Sequence, residues 1–286
     1  MDYHFGGHMS IAGGYDKALE RVSAIGGNCL QLFSASPRGW NIARLTDEQK
    51  HMFEAARNRL HIDPVFFHAS YLVNLADSGL IGTKSKQSLI AELTVASQLN
   101  ITGSIVHTGS FKGKAPVVWD ISQDAVYSVL INNIVEVLTK TPKDTYLIIE
   151  NAGNKKIGQN LDEIASILKD VGNERLKVCL DTCHLYSAGY DLSTQDKLDA
   201  FLEEFDAKVG LSRLIVIHTN DSRDPFNAGR DRHENIGQGT LGQAPFKLLL
   251  HDGRTRHLPF IIETPGFDGQ GPDKQNLDIL KSLTHE

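Results

Sequence analysis

The sequence predicts an α/β fold, a single-domain (β/α)8 barrel of the TIM type over residues 1–286. Three observations carry this. Short apolar runs rich in β-branched and aromatic residues recur eight times, each followed by a helix-period segment. The chain has 286 residues, and such a barrel typically needs about 250. No Pro/Ser/Gly-rich linker breaks the alternation. The competing arrangement is an open eight-stranded sheet; eight units at this length favour closure.

The expected strands are 3–7, 28–33, 65–68, 104–107, 146–150, 177–181, 213–218 and 259–263. They read as short apolar runs rather than strict alternations, as parallel strands covered on both faces do. The expected helices lie near 14–25, 46–60, 83–99, 120–140, 160–170, 194–209, 243–251 and 274–284. Thr46-Asp47-Glu48-Gln49 opens the second helix with a good cap, and Asp120 is the expected cap of the fourth.

Composition narrows the class. The N-terminal Met1-Asp2-Tyr3-His4-Phe5-Gly6 lacks the basic region and apolar run of a secretory signal. No stretch approaches the roughly 18 apolar residues of a membrane span. Cys29, Cys179 and Cys183 are too few for a disulfide framework, so a reducing cytoplasm is the expected location. A net charge of −6 argues at first against a nucleic-acid partner. Twelve histidines exceed what a core requires.

In barrels of this kind the chemistry sits at the C-terminal ends of the strands. Six consecutive expected strands end in a metal-ligand type: His68, His107, Glu150, Asp181, His218 and Glu263. His, Asp and Glu make up 47 of 286 residues, so a single such ending is an ordinary cap, but six in succession are not accidental. Glu150, Asp181 and Glu263 would converge on one partly buried mouth. Like charges at short range cannot all stay ionised there without a cation. Mixed imidazole and carboxylate donors suit Zn²⁺, with Mn²⁺ or Fe²⁺ as substitutes.

Two loop clusters extend the set. His184 lies three residues beyond Asp181, and Asp231 and His233 flank Arg232. Alternate residues of an extended loop face the same way, so Asp231 and His233 can grip one ion. With His184 they make a three-ligand site with an open position. His8, at the end of the first strand, is expected beside the ligands rather than among them.

Gly237-Gln238-Gly239-Thr240-Leu241-Gly242 matches a dinucleotide-binding pattern, but the strand it requires is missing before it. A tight loop behind the Asp231-Arg232-His233 segment is the expected role. Cys179 and Cys183 read as packed thiols.

These residues resemble the endonuclease IV family of apurinic/apyrimidinic endonucleases (AP endonuclease family 2) over the whole chain. The resemblance is carried by Gly7-His8-Met9-Ser10-Ile11-Ala12-Gly13-Gly14, His68-Ala69-Ser70-Tyr71-Leu72-Val73-Asn74-Leu75, and Asp181-Thr182-Cys183-His184 with Ala188-Gly189-Tyr190-Asp191. His218-Thr219-Asn220-Asp221-Ser222 and Asp231-Arg232-His233-Glu234-Asn235-Ile236-Gly237-Gln238-Gly239 complete it. It implies three Zn²⁺ ions: His68, His107 and Glu150 on one; Glu150, Asp181, His218 and Glu263 on a second, with Glu150 bridging; His184, Asp231 and His233 on the third. It implies hydrolysis of the phosphodiester 5′ to an abasic site in duplex DNA, leaving a 3′-hydroxyl, with the pair on Glu150 activating the nucleophile. Arg38, Tyr71 and Leu72 are the expected DNA-binding side chains, wedged into the duplex. One duplex and one mouth require only a monomer. Gly39, Ala69, Thr108 and Asn151-Ala152-Gly153-Asn154-Lys155-Lys156 depart from the family pattern; they bear on lesion probing rather than on ligation.

Three divalent ions would offset the −6 charge, and segments 34–45, 108–119 and 151–160 carry Arg38, Arg44, Lys112, Lys114, Lys155 and Lys156 without an acid. Two alternatives stand beside the nuclease. A sugar isomerase or epimerase on a xylose-isomerase-like barrel would need two metals or fewer. A non-catalytic lesion-binding protein would not depend on Glu150.

Overall fold

The computed structural model of the protein describes residues 3–113, 119–120, 122–154 and 156–285. In chain order its strands are β1 (His4–Met9), β2 (Cys29–Phe33), β3 (Val65–His68), β4 (Gly103–Val106), β5 (Tyr146–Glu150), β6 (Leu176–Asp181), β7 (Leu214–His218), the two-residue β8 (Asp221–Ser222) and β9 (His233–Glu234), and β10 (Pro259–Ile262). The eight longer strands form a closed parallel barrel in the order β1-β10-β7-β6-β5-β4-β3-β2. Closure, rather than an open sheet, is therefore observed.

The helices are α1 (Tyr15–Ala24), α2 (Asp47–Leu60), α3 (Leu80–Gln98), α4 (Ala125–Thr139), α5 (Leu161–Val171), α6 (Thr182–Ser187), α7 (Gln195–Lys208), α8 (Ala244–His251) and α9 (Lys274–Ser282). Thr46 caps α2 with a reciprocal bond to Gln49, as its sequence indicates. The cap of α4 is Asp124 and not Asp120. Asp120 instead accepts from the Ser122 amide and closes a turn ahead of the helix. Helix α3 begins three residues earlier than the periodic pattern, because Asp77 accepts from the amides of Gly79 and Gly82 and gathers the chain into its first turn.

Successive strand residues alternate between two environments. Leu30, Phe67, Val106, Ile149, Leu180, Ile217 and Ile262 face outward into the helix layer. Their neighbours Cys29, Phe66, Ile105, Ile148, Cys179, Val216 and Ile261 fill the barrel interior. Burying each such aliphatic side chain contributes about 1.5–3 kcal/mol. On β1 the interior position is Gly6, where a Cβ would sit 2.0 Å from the Cys29 carbonyl oxygen, so no side chain fits. This apolar layer is the floor of the site. Two residues further along every strand, the next inward side chain belongs to the mouth.

Candidate metal centre

The step of two from the floor gives one polar residue per strand: His8, Gln31, His68, His107, Glu150, Asp181, His218 and Glu263. Six were read from strand ends. His107 and Glu263 lie one residue past β4 and β10, yet keep the inward phase. Gln31 was missed. It stands mid-strand in Cys-Leu-Gln-Leu-Phe, and the period-2 step from Cys29 is the signal that finds it.

Glu150 is at the centre and fully buried. Its Oε2 lies 3.2 Å from His68 Nε2 and 3.3 Å from His107 Nε2. Its Oε1 lies 3.0 Å from His218 Nδ1 and 3.3 Å from His184 Nδ1. One carboxylate thus faces two separate ligand clusters with its two oxygens. In the second cluster His218 Nδ1 is 3.4 Å from Glu263 Oε2 and 3.9 Å from Asp181 Oδ2.

The third cluster is richer than expected. His184 Nε2 lies 2.9 Å from Asp231 Oδ1 and 3.5 Å from His233 Nε2, and His233 Nε2 is 3.5 Å from Asp231 Oδ1. Asp181 Oδ2 also comes within 3.5 Å of His233 Nε2, so Asp181 stands between the second and third clusters. His184 is not on a loop. It is carried by the short helix α6, whose cap is Asp181 itself, accepting from the His184 amide at 2.9 Å. His233 opens β9, which pairs with β8.

The charges here do not balance by themselves. Among the described residues, no Lys or Arg contacts Glu150, Asp181, Asp231 or Glu263; their ionic partners are histidines only. Burial works against ionisation of Glu150 and Glu263, but the surrounding imidazoles outweigh it and hold both well below the usual carboxylate range. Burial and the nearby Glu150 push Asp181 up despite its histidines. Burial likewise opposes charge on His184 and His218; Asp181, Asp231 and Glu150 overcome it at His184, and Cys179, Glu263 and Glu150 overcome it at His218, holding both well above the ordinary imidazole value. Burial holds His107 down at about 4. Protons on His184 and His218 are therefore the counter-charge that a cation would replace.

The donors fit a divalent ion. Ligands about 2.0–2.2 Å from zinc in a tetrahedron are about 3.3–3.6 Å apart, and most of the spacings above lie near that edge. Ring orientation agrees. His68 Nδ1 is 2.8 Å from the Ala69 carbonyl oxygen and His184 Nδ1 is 2.9 Å from that of Asn151. A carbonyl oxygen only accepts, so Nδ1 keeps its proton in the neutral ring, and Nε2 is the atom left with a lone pair for a cation. Asn220 anchors two ligand strands, donating to Asp181 Oδ2 at 2.6 Å and accepting from the Glu263 amide at 2.8 Å. Asn151 Oδ1 accepts from the Asp181 amide at 2.6 Å. Both asparagines, like Gln31, lay outside the sequence-derived set.

The mouth opens into a cavity of about 450 Å³ lined by His68, His107, His184, His233 and Glu263, with Tyr71 at its rim. Tyr71 is 72% exposed and Leu72 40%. The Tyr71 ring packs edge-on against Phe33, 5.4 Å between centroids, and beside His68 at 6.4 Å. Arg38 is exposed on the turn 37–40, which Ser70 Oγ ties to this loop through the Pro37 carbonyl at 2.9 Å. Arg44 and Lys156 are exposed; Lys112 is not free of acids, since Asp77 lies 3.5 Å away. Lys114 and Lys155 fall outside the described residues.

The Gly237–Gly242 segment already has an anion, and it is the protein's own. Asp221 Oδ2 accepts from the amides of Gly237 and Gly239 at 2.9 and 3.0 Å, and Oδ1 from those of Leu241 and Gly242 at 3.1 and 3.2 Å. A Cβ on Gly239 would meet the Ser222 carbonyl oxygen at 2.3 Å. The loop is a brace behind β9, not a nucleotide cradle.

Comparison with known proteins agrees with this architecture. The family described as "Xylose isomerase-like TIM barrel" matches residues 19–283. A probable endonuclease 4 from Persephonella marina is 37% identical over 282 residues, covering 97% of this chain and 96% of that protein. The crystal structure of endonuclease IV from Thermus thermophilus superposes with a TM-score of 0.83 at 32% identity, covering 98% of both chains. A D-tagatose 3-epimerase-like protein shares the barrel, with a TM-score of 0.68 at 17% identity over 97% of this chain and 96% of its own, a likeness of fold alone. On these matches, which run nearly end to end, the chain belongs to the endonuclease IV family.

Proposed function

We propose that this protein is an AP endonuclease of DNA repair that hydrolyses the phosphodiester 5′ to an abasic site in duplex DNA and leaves a 3′-hydroxyl. One observation carries the reading: the two oxygens of buried Glu150 face two different His/carboxylate clusters, and a third cluster adjoins them through Asp181. His68, His107 and Glu150 would hold one ion. Glu150, Asp181, His218 and Glu263 would hold a second, and His184, Asp231 and His233 a third, with Asp181 at its edge. Zn²⁺ suits these donors, with Mn²⁺ or Fe²⁺ as substitutes. Bound at these positions, divalent cations supply Lewis acidity that eases ionisation of an attacking water and offsets charge on the phosphate and leaving oxygen.

The chain's own groups do the rest. Glu150 acts in the catalytic centre by setting the spacing of the first two clusters. The Ala69 and Asn151 carbonyls hold His68 and His184 in the ligating tautomer. Tyr71 and Leu72 present apolar surface at the rim, and Arg38 stands beside them to meet phosphate or enter the gap. An abasic nucleotide has no base to unstack, so extruding it toward the mouth costs little. The protein would act as a monomer in the cytoplasm; among the described residues no helix is long and apolar enough to cross a membrane.

The test is incision of a duplex holding one tetrahydrofuran site. Cleavage 5′ to the lesion, abolished by chelator and restored by Zn²⁺, is expected. Tight lesion binding without cleavage under any metal would leave the non-catalytic reading standing. Epimerisation of a ketohexose by protein holding two ions or fewer would favour the sugar-enzyme reading.

A further inference from the structure

Three of the five histidines in the metal clusters place one ring nitrogen against a backbone carbonyl: His68 against Ala69, His184 against Asn151, and His233 against Glu263. His218 does something else. Its Nε2 lies 2.6 Å from Oε1 of Gln31, a fully buried side chain on β2. The Nε2 of the same amide donates to Glu263 Oε1 and lies 2.8 Å from His8 Nδ1.

An amide could sit either way round, and Glu263 decides which. A carboxylate oxygen only accepts, so the amide must turn its NH2 toward Glu263, and that leaves its oxygen for His218. An amide oxygen also only accepts. His218 must therefore hold a proton on Nε2, so the proton that a cation displaces is the one on Nδ1, on the side where Glu150 and Glu263 approach at 3.0 and 3.4 Å. Were the amide reversed, its oxygen would oppose the carboxylate, and its NH2 would draw the His218 proton round to Nδ1. A nitrogen bearing a proton cannot ligate. Being buried, Gln31 has no water to replace it.

We infer that Gln31 is a positioning residue for one ion only: its amide couples Glu263 to His218 so that Glu263 Oε2 and His218 Nδ1 face the Glu150–Asp181–His218–Glu263 cluster together. This rests on the metal reading above and goes beyond it by assigning a residue that is not a ligand to a single position of the three. His68, His107, His184, Asp231 and His233 make no bond to Gln31, and His68, His184 and His233 keep their own carbonyl partners.

The experiment titrates Zn²⁺ into metal-free wild-type, Gln31→Met and Gln31→Glu proteins against a competing chelator. Bound metal is counted by mass spectrometry, and long-range ¹H–¹⁵N spectra report the histidine tautomers of the loaded forms. Groups that orient ligands change metal affinity by about 10–100-fold. Gln31→Met is expected to keep two ions at wild-type affinity, to weaken the third by that factor, and to lose the single Nε2-protonated tautomer of His218. Gln31→Glu retains an acceptor for His218 Nε2 but sets a second carboxylate against Glu263, so the tautomer persists while the same ion is weakened. Unchanged binding of all three ions in either variant overturns the inference, as does equal weakening of all three, which a merely structural role would give. Should Gln31→Met fail to fold, the Gln31→Glu titration decides between these outcomes. Wild-type protein that holds fewer than three ions would instead refute the metal reading itself.

Discussion

Replacing Glu150 with Gln keeps the volume at the centre of the site and removes one charge. Four imidazole nitrogens now meet two carboxylate oxygens at 3.0–3.3 Å. Gln offers one acceptor and one donor there, so one pair of histidines must face an NH2 that cannot accept from them or bind a cation. Breaking a buried charge set by removing one partner costs about 3–5 kcal/mol. At about 1.4 kcal/mol per tenfold, that is a loss of about 10²–10⁴ in the affinity of the two ions sharing Glu150. The ion on His184, Asp231 and His233 should stay. The assay pairs a metal count after dialysis against a mild chelator with single-turnover incision of a tetrahydrofuran duplex. Incision should fall by at least about 10²–10³, the scale of losing one preorganised charge-stabilising group, while duplex binding changes by only a few-fold. Three retained ions with incision within tenfold of wild type would refute the reasoning.

Other perturbations probe separate parts of the molecule. Tyr71→Ala removes an exposed ring at the rim; stacking against nucleic acid is worth about 1–3 kcal/mol per base, so affinity for abasic duplex should drop about 5–150-fold with no change in metal content, and an unaltered Kd would remove Tyr71 from the DNA face. Gly239→Ala forces a Cβ against the Ser222 carbonyl oxygen and should cost about 1–3 kcal/mol in overpacking, read as a lower thermal midpoint; an equal midpoint would show that the brace yields freely. Glu92 is buried on α3, where Ser34 and Ser104 donate to it, and burial pushes it up to about 7 from an ordinary 4.5. A raised carboxyl pKa gives stability that is full below about 4.5 and lost as pH rises through about 7. Glu92→Gln should accordingly flatten the fall in unfolding free energy between pH 5 and 8, and parallel wild-type and variant slopes would contradict the assignment.

The parts of the fold and site that were legible are those written in a repeating phase. Phe66-Phe67-His68 and Ile148-Ile149-Glu150 announce both a buried strand and its inward terminal residue, because alternate side chains share a face. Gln31 obeys the same phase but is followed by Leu32 and Phe33, so it does not mark a strand end, and its type is not that of a metal ligand. Helix α6 was hidden by its length; six residues are too few for a helical period to register. The ribbon of β8 and β9 was hidden likewise, two residues a side. Asp120 and Asp124 are equally good caps by type, and it is Asp124 that accepts from the Val126 and Tyr127 amides. The loop residue Asp231 was found by its neighbour at alternate spacing, yet the part Asp181 plays between two clusters follows from α6 and so could not be seen.

The central claim is that this mouth holds three cations, two of them sharing Glu150. Anomalous diffraction from zinc-loaded crystals tests it most directly. The account requires three peaks: one among His68, His107 and Glu150, one among Glu150, Asp181, His218 and Glu263, and one among His184, Asp231 and His233. Two peaks or fewer at full loading, or a Glu150 that touches a single ion, would contradict it.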